Sequence, residues 1–213
     1  MNLNRRLLLC TAAGVTALAG ASCSSDPQPA PSFNADRGGY VAGTPVSGGR
    51  ALPEVTMQST KGDFDLATGT TTPVTLVFFG YTNCPDICPG ILSDIAVALR
   101  RSEEAIAKAV SVLFITTDAP RDTVGVMDAY LRRIDPDFVG LTSTMDVILA
   151  VGQNFGIAVE EGTKLPGGGY EVDHGTQILG FGADKTLQVV WTQGTSIGDL
   201  KADIATLVGK QPT

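Results

Sequence analysis

Histidine occurs once in these 213 residues, cysteine four times and tryptophan once. A single imidazole leaves at most one histidine for any site. Lysine and arginine number only 15, never cluster, and are outnumbered by acids to a formal charge of −7. Nucleic-acid recognition needs a basic footprint, so that class of function is set aside. The apolar leader, Leu7 to Ala21, is too short to span a bilayer as a helix. No internal repeat is visible. What remains is an ordinary globular composition, 43% hydrophobic and 17% charged, with room for one domain and a leader.

The leader reads as an export signal over residues 1–22. Asn2 to Arg6 is basic, the next stretch is apolar and small, and Gly20-Ala21-Ser22-Cys23 resembles a lipoprotein box cleaved before Cys23. Cys23 would then carry lipid, and multiple acyl chains anchor a protein stably. Arg5-Arg6 before Leu8-Leu9 also resembles a twin-arginine signal. Residues 23–44 form the lipidated cysteine and a flexible linker rich in Pro, Ser, Ala and Gly. The expected location is the cell membrane, lipid-anchored and facing outside the cytoplasm.

With Cys10 in the signal and Cys23 at the anchor, Cys84 and Cys88 are the thiols left for the folded part, residues 45–211. They lie in Phe78-Phe79-Gly80-Tyr81-Thr82-Asn83-Cys84-Pro85-Asp86-Ile87-Cys88-Pro89. Positions i and i+4 share one helix face. Two thiols so placed can close a disulfide or hold one soft metal ion. A helix N-terminus favours thiolate over thiol, so the cysteine pKa is expected to be lowered.

Periodicity supplies the frame. Short strands are expected at Glu54–Met57 and Phe64–Leu66, turning at Lys61-Gly62. Val74–Phe79 and Val110–Ile115 read as buried strands. Ile91, Ile95, Ala98 and Leu99 mark a helix; Val124, Met127, Leu131 and Ile134 a second, stopped before Pro136; Val147, Ile148, Val151 and Phe155 a third. Gln177–Phe181 and Leu187–Trp191 form a closing hairpin, and Ser196 with Asp199 resembles the capping box of a last helix. The order is hairpin, β, α, β, α, α, β, β, α. It predicts an α/β, thioredoxin-like fold with an N-terminal β-hairpin extension and an insert before the closing hairpin. Cys84 then falls beyond the carboxyl end of a central strand, where ligand sites gather in open α/β sheets.

His174 stands in Glu171-Val172-Asp173-His174-Gly175-Thr176, just before the closing hairpin. In such a sheet its loop can approach the cysteine end. Two thiolates and one imidazole suit Cu(I), hold Cu(II) with an added water or carboxylate, and suit structural zinc poorly for want of a fourth protein ligand.

These segments resemble the SCO/SenC copper-handling proteins. The cysteine segment matches the family signature of Cys, Pro, Asp, an aliphatic residue and Cys. Thr117-Asp118-Ala119-Pro120-Arg121-Asp122-Thr123 resembles the family's Asp-Pro-x-Arg-Asp-Thr, and Val172-Asp173-His174 resembles its Asp-His segment. The likeness runs from about Pro45 to Gly209, with Asn83 where His is frequent and Gly175 where Thr is frequent. It implies a membrane-tethered copper metallochaperone that helps load the binuclear copper centre of cytochrome c oxidase. Its partner would be the copper-binding subunit of the oxidase or another copper carrier. The implied ligands are Cys84, Cys88 and His174, with a reversible disulfide between the cysteines. Asp118 is the implied acid beside the site. Asp86 is expected to favour the helix terminus, Asp173 to be a weak candidate for orienting His174, and Arg121 and Asp122 to serve the helix start and local ion pairing.

The alternative is a thiol–disulfide oxidoreductase acting through Cys84 and Cys88 on a partner's cysteines. A general thioredoxin has two residues between its cysteines rather than three. A peroxiredoxin wants Thr three residues before its reactive cysteine, and position 81 is Tyr. A bridge closing so short a loop gains little chain entropy, so a purely structural disulfide is the weakest reading.

Overall fold

A computed structural model describes residues 37–85, 87–160 and 173–211, and for Glu160, Asp173 and His174 it describes the backbone alone. The elements in chain order are β1 Thr44–Pro45, β2 Thr56–Ser59, β3 Gly62–Asp65, β4 Val74–Gly80, α1 Ile87–Arg100, α2 Glu104–Lys108, β5 Val110–Thr116, α3 Val124–Leu131, β6 Val139–Thr142, α4 Met145–Asn154, β7 Val159–Glu160, β8 Asp173–His174, β9 Ile178–Phe181, β10 Leu187–Trp191 and α5 Ile197–Gly209. Eight strands make one sheet in the order β1-β10-β9-β4-β5-β6-β2-β3, and β7 pairs with β8 separately.

Every residue of β4 is buried. A run of β-branched and aromatic side chains covers both faces of a pleated strand, so β4 sits in the middle with a helix layer on each side. Leu76 and Phe78 face α1, α3 and α5 through Leu92, Ile95, Met127 and Ile204. Val77 and Phe79 face the other layer, with Met57, Ile148 and Val151. Each such side chain contributes about 1.5–3 kcal/mol when fully buried. β4 runs parallel to β5 over seven matched pairs, from Val74↔Val110 to Gly80↔Thr116. On its other side it runs antiparallel to β9. The thioredoxin-like α/β expectation is borne out, including the hairpin at Lys61-Gly62, where Gly62 takes φ +102. The capping box also forms: the Asp199 N–H donates to Ser196 Oγ at 3.1 Å, and Ser196 Oγ donates to Asp199 Oδ2 at 2.8 Å. Among the described residues no helix is long and apolar enough to cross a membrane.

Several features depart from the expected order, the two-residue strands β1, β7 and β8 among them. β6 was not expected; it extends the parallel core beside β5 and gives the β2–β3 hairpin its seat through Gln58↔Thr142. The short α2 was not expected either. The second helix ends at Leu131 rather than Ile134, because Asp135-Pro136 imposes a turn.

The linker also ends sooner than Thr44. Tyr40 is buried, and the backbone N–H groups of Val41, Ala42 and Gly43 donate to the carboxylate of Asp203 on α5, the last two at 3.0 and 2.7 Å. Trp191 Nε1 donates to the same carboxylate at 2.9 Å. Asp203 is fully buried, and four donors replace the water it gives up. Lys210 Nζ lies 3.8 Å from the Tyr40 ring centroid. β1 then pairs with β10. The stretch is a strap fastened to α5 and the sheet edge.

Asp203→Ala orphans four N–H groups and is expected to cost about 3–5 kcal/mol, read by urea unfolding, with fast amide exchange confined first to residues 41–43. Burial, and then the charge of Asp203, push the Tyr40 hydroxyl up to about 12. A group whose folded pKa is raised contributes stability that is present below its unfolded pKa and lost as pH climbs to the folded value. Stability should therefore fall between about pH 10 and 12, and Tyr40→Phe should flatten that fall.

Candidate metal and thiol site

β4 delivers the chain to the carboxyl pole of the sheet, and Gly80 ends it. A Cβ on Gly80 would stand 2.8 Å from Cys88 Sγ, 3.0 Å from the Phe78 ring and 3.1 Å from the Phe114 ring. The missing side chain is the notch that receives the Cys88 sulfur. Thr117 N–H donates to Gly80 O at 2.7 Å, which carries the β4–β5 pairing one step further. The loop then turns, with Cys84 N–H donating to Tyr81 O at 3.2 Å, and α1 starts at Ile87. Pro89 falls in the first turn, where its missing N–H costs nothing.

Cys84 is half-buried, Cys88 is fully buried, and no disulfide joins them. Cys88 N–H donates to Cys84 Sγ at 3.4 Å. This places one sulfur at the helix entrance and the other beneath it, one turn apart, as the spacing predicts.

The expected thiolate-favouring effect of the helix end does not hold for Cys88. Burial pushes its thiol far above the ordinary range. The hydrogen bond and charge of Cys84 and the charge of Asp122 add to this, against one opposing hydrogen bond from the Tyr81 backbone. A helix terminus is worth about 0.3–1 kcal/mol, too little to offset desolvation of a charged sulfur.

Asp122 is the polar anchor of the pole. It is fully buried. It accepts from Thr82 N–H at 2.9 Å, from Thr82 Oγ1, and from Thr116 Oγ1 at 2.7 Å. Burial raises its pKa, with a further contribution from the charge of Asp118. Its bonds tie the loop bearing Cys84 to the end of β5, a role beyond the helix-start duty expected of it. The Gly80↔Thr116 register, which makes Thr82 and Thr116 neighbours, is the signal that would have revealed it.

Asp118 is buried at the same pole and ion-paired with Arg121, whose guanidinium sits 5.8 Å from the Tyr81 ring centroid. Tyr81 and Trp191 are core residues.

β9 runs antiparallel to β4 with Ile178 opposite Phe78. The backbone of His174, four residues earlier, therefore enters at the thiol pole. There it pairs with Val159, and Gly175 N–H donates to Ala158 O at 3.2 Å. A Cβ on Gly175 would lie 2.3 Å from Gln177 Oε1, so the Gln177 amide fills the space that a threonine would take. The imidazole of His174 and the side chain of Asp173 lie outside the described atoms, and Asp86 and Cys23 lie outside the described residues. Among the described residues, no three His, Cys, Asp or Glu side chains group closely enough to hold a metal ion.

Gly80→Ala should evict the Cys88 sulfur from its notch, lowering stability by about 1–3 kcal/mol and changing the rate of Cys84–Cys88 disulfide closure, measured by thiol titration over time. Asp122→Ala should cost about 2–4 kcal/mol and speed amide exchange at Thr82, while leaving exchange in β9 near its native rate.

Comparison with known proteins agrees with this geometry. A family profile described as SCO1/SenC matches residues 57–209. The mitochondrial SCO2 homolog of Danio rerio is 36% identical over 104 residues, 48% of this chain and 37% of that protein. The mitochondrial SCO1 homolog of Homo sapiens is 30% identical over 132 residues, 62% of this chain and 44% of that protein. The chain thus spans less than half the length of either relative. Among solved structures, apo Sco1 from Thermus thermophilus superposes with a TM-score of 0.69 at 25% identity, covering 78% of this chain and 95% of that one. Copper-bound ScoI from Bradyrhizobium japonicum gives 0.64 at 27% identity, covering 75% and 98%. The match over residues 57–209 takes in the whole parallel core and the thiol pole, and the chain belongs to the SCO1/SenC family.

Proposed function

We propose that this protein is a copper metallochaperone held outside the cytoplasm by lipid on Cys23, which carries copper on Cys84, Cys88 and His174 and helps build the binuclear copper centre of cytochrome c oxidase. The observation that carries the reading is the thiol pair itself: two sulfurs one turn apart at the carboxyl end of β4, with Cys88 N–H directed at Cys84 Sγ. The strand register, which brings the backbone of His174 to the same pole, supports it. So does the copper held by the Bradyrhizobium relative.

The chemistry follows from the donors. Soft thiolates select Cu(I), and a neutral imidazole completes three-coordination. Burial disfavours a bare charge on Cys88, so its proton leaves when the metal arrives, and copper uptake releases protons. Asp86 lies between the two cysteines in sequence, Asp118 is buried at the same pole of the sheet, and both would shape the field around the ligands. The cargo is handed to a partner that offers its own thiolates and imidazoles, the oxidase's copper-binding subunit being the natural recipient.

A specific asymmetry favours a second reading. Cys84 is half-exposed and Cys88 fully buried, the disposition of an attacking thiol and a resolving thiol in disulfide exchange. Reduction of a recipient's cysteines would also prepare them for copper, so the two activities are compatible.

His174→Ala should weaken Cu(I) binding by about 100-fold or more, in line with the loss of a ligand, and leave dithiol–disulfide exchange with glutathione within about twofold; competitive Cu(I) titration of the soluble domain reads the first and thiol quantification the second. Wild-type copper affinity in the variant sinks the ligand set. Oxidising Cys84 and Cys88 should abolish high-affinity Cu(I) binding. Mass analysis of the mature protein tests the anchor, since an unmodified N-terminal residue would exclude it.

A further inference from the structure

The turn after β5 grips the thiol loop at two neighbouring points. Asp122 takes Thr82. Arg121, the residue before it, takes Tyr81, the residue before Thr82: its guanidinium stands 5.8 Å from the Tyr81 ring centroid. Arg121 is held there. Its Nε donates to the carboxylate of Asp118, a side chain only 1% exposed, and a planar fork bonded along one edge has little freedom left. Asp118 is fixed in turn. Its N–H donates to Thr116 Oγ1 at 2.9 Å, and its carbonyl accepts from the N–H groups of Arg121 and Asp122 at 3.0 and 2.9 Å. A chain of contacts thus runs from the end of β5 through Asp118 and Arg121 to Tyr81. From there it reaches the outer thiol, since Cys84 N–H donates to Tyr81 O at 3.2 Å and both residues pack on one cluster. An ion pair that served only the start of α3 would be complete with Asp118. The contact across to the loop from β4 has no part in starting that helix, which Thr123 caps by accepting from Val126 N–H.

We infer that Arg121 is a positioning residue for the outer thiol: aimed by Asp118, it pins the Tyr81 turn and so keeps the Cys84 sulfur over Cys88. Arginine suits the place because it meets a carboxylate along one edge and an aromatic ring at the same time, which a point charge does less well. Holding the loop in advance removes part of the ordering cost from any step that joins the two sulfurs, to each other or to one soft metal ion. The contact lies near the distance limit for a cation and a ring, so its worth is about two- to fivefold in an equilibrium constant. The inference rests on the thiol pair that both proposed activities use, and not on His174 as a ligand.

The test perturbs the contact from both sides in the purified full chain, with Cys84 and Cys88 followed individually by peptide mass analysis. Asp118→Asn with Arg121→Gln removes the guanidinium without leaving a buried charge alone, and Tyr81→Leu removes the ring. Each variant is equilibrated with glutathione. In that reaction the two cysteines give two electrons and two protons to oxidised glutathione, one S–S bond forming as another breaks. Both variants should move the equilibrium about two- to fivefold toward the dithiol and raise the rate of Cys84 alkylation by iodoacetamide by a similar factor. Because they break one contact, the combined variant should go no further than the larger single effect. Effects that multiply overturn the inference, as does an equilibrium constant within about 1.5-fold of wild type. Should the pair variant not fold, Tyr81→Phe, which keeps the ring face, should undo at least half of the Tyr81→Leu shift; equal shifts in the two overturn the inference. A wild-type chain that never closes the disulfide would sink the exchange reading, and the alkylation rates then decide the role of Arg121, rates equal to wild type overturning it.

Discussion

The site depends on a missing atom. Gly80 closes the central strand, and the volume its side chain would fill holds the sulfur of Cys88, walled by Phe78 and Phe114. β4 cannot slip against β5 without losing seven matched pairs, so the notch has a fixed address in the sheet. α1 must then enter with its first turn over that address. The depth of Cys88, the exposure of Cys84 and the one-turn separation of the sulfurs all follow from this. The same register sets Thr116 beside the Thr82 loop, where a single carboxylate, Asp122, fastens both.

Two electrostatic influences act on Cys88 in opposite directions. A helix start offers partial positive charge, and a packed aromatic core withholds water. Burial wins because solvation of a charged sulfur is worth several times what a helix end supplies. The thiol therefore keeps its proton until something better than water, a soft cation or a partner sulfur, takes that place. Cys84, at the rim, meets solvent first. One thiol is reachable and the other guarded.

Much of this was legible in the residues. Val74–Phe79 and Val110–Ile115 announce themselves as buried strands because a nearly unbroken apolar run has no polar face to show water. The helices are readable because Ile91, Ile95, Met127, Leu131, Ile148 and Val151 recur at the helical period. Ser196 and Asp199 give α5 its start. The thiol spacing predicts the stacked sulfurs. β6 was illegible because Val139-Gly140-Leu141-Thr142 is four residues long and contains a glycine; its strand character comes from β5 and β2 on either side, not from propensity. Residues 37–44 read as linker because they continue a Pro-, Ser-, Ala- and Gly-rich stretch with no apolar period, whereas Asp203, far away in sequence, is what orders them. Asp122 was legible as an acid but not as a bracket, since its partners lie 40 residues upstream and on the preceding strand.

The strap has a mechanical corollary. Its grip lies along α5, from Asp203 towards Lys210, and the end of α5 packs by the β9–β10 turn, the far pole of the sheet from Gly80. Strain applied at Arg37 meets a carboxylate gripping three consecutive amides and an indole before it reaches the sheet. The sulfurs at the opposite pole feel little of it.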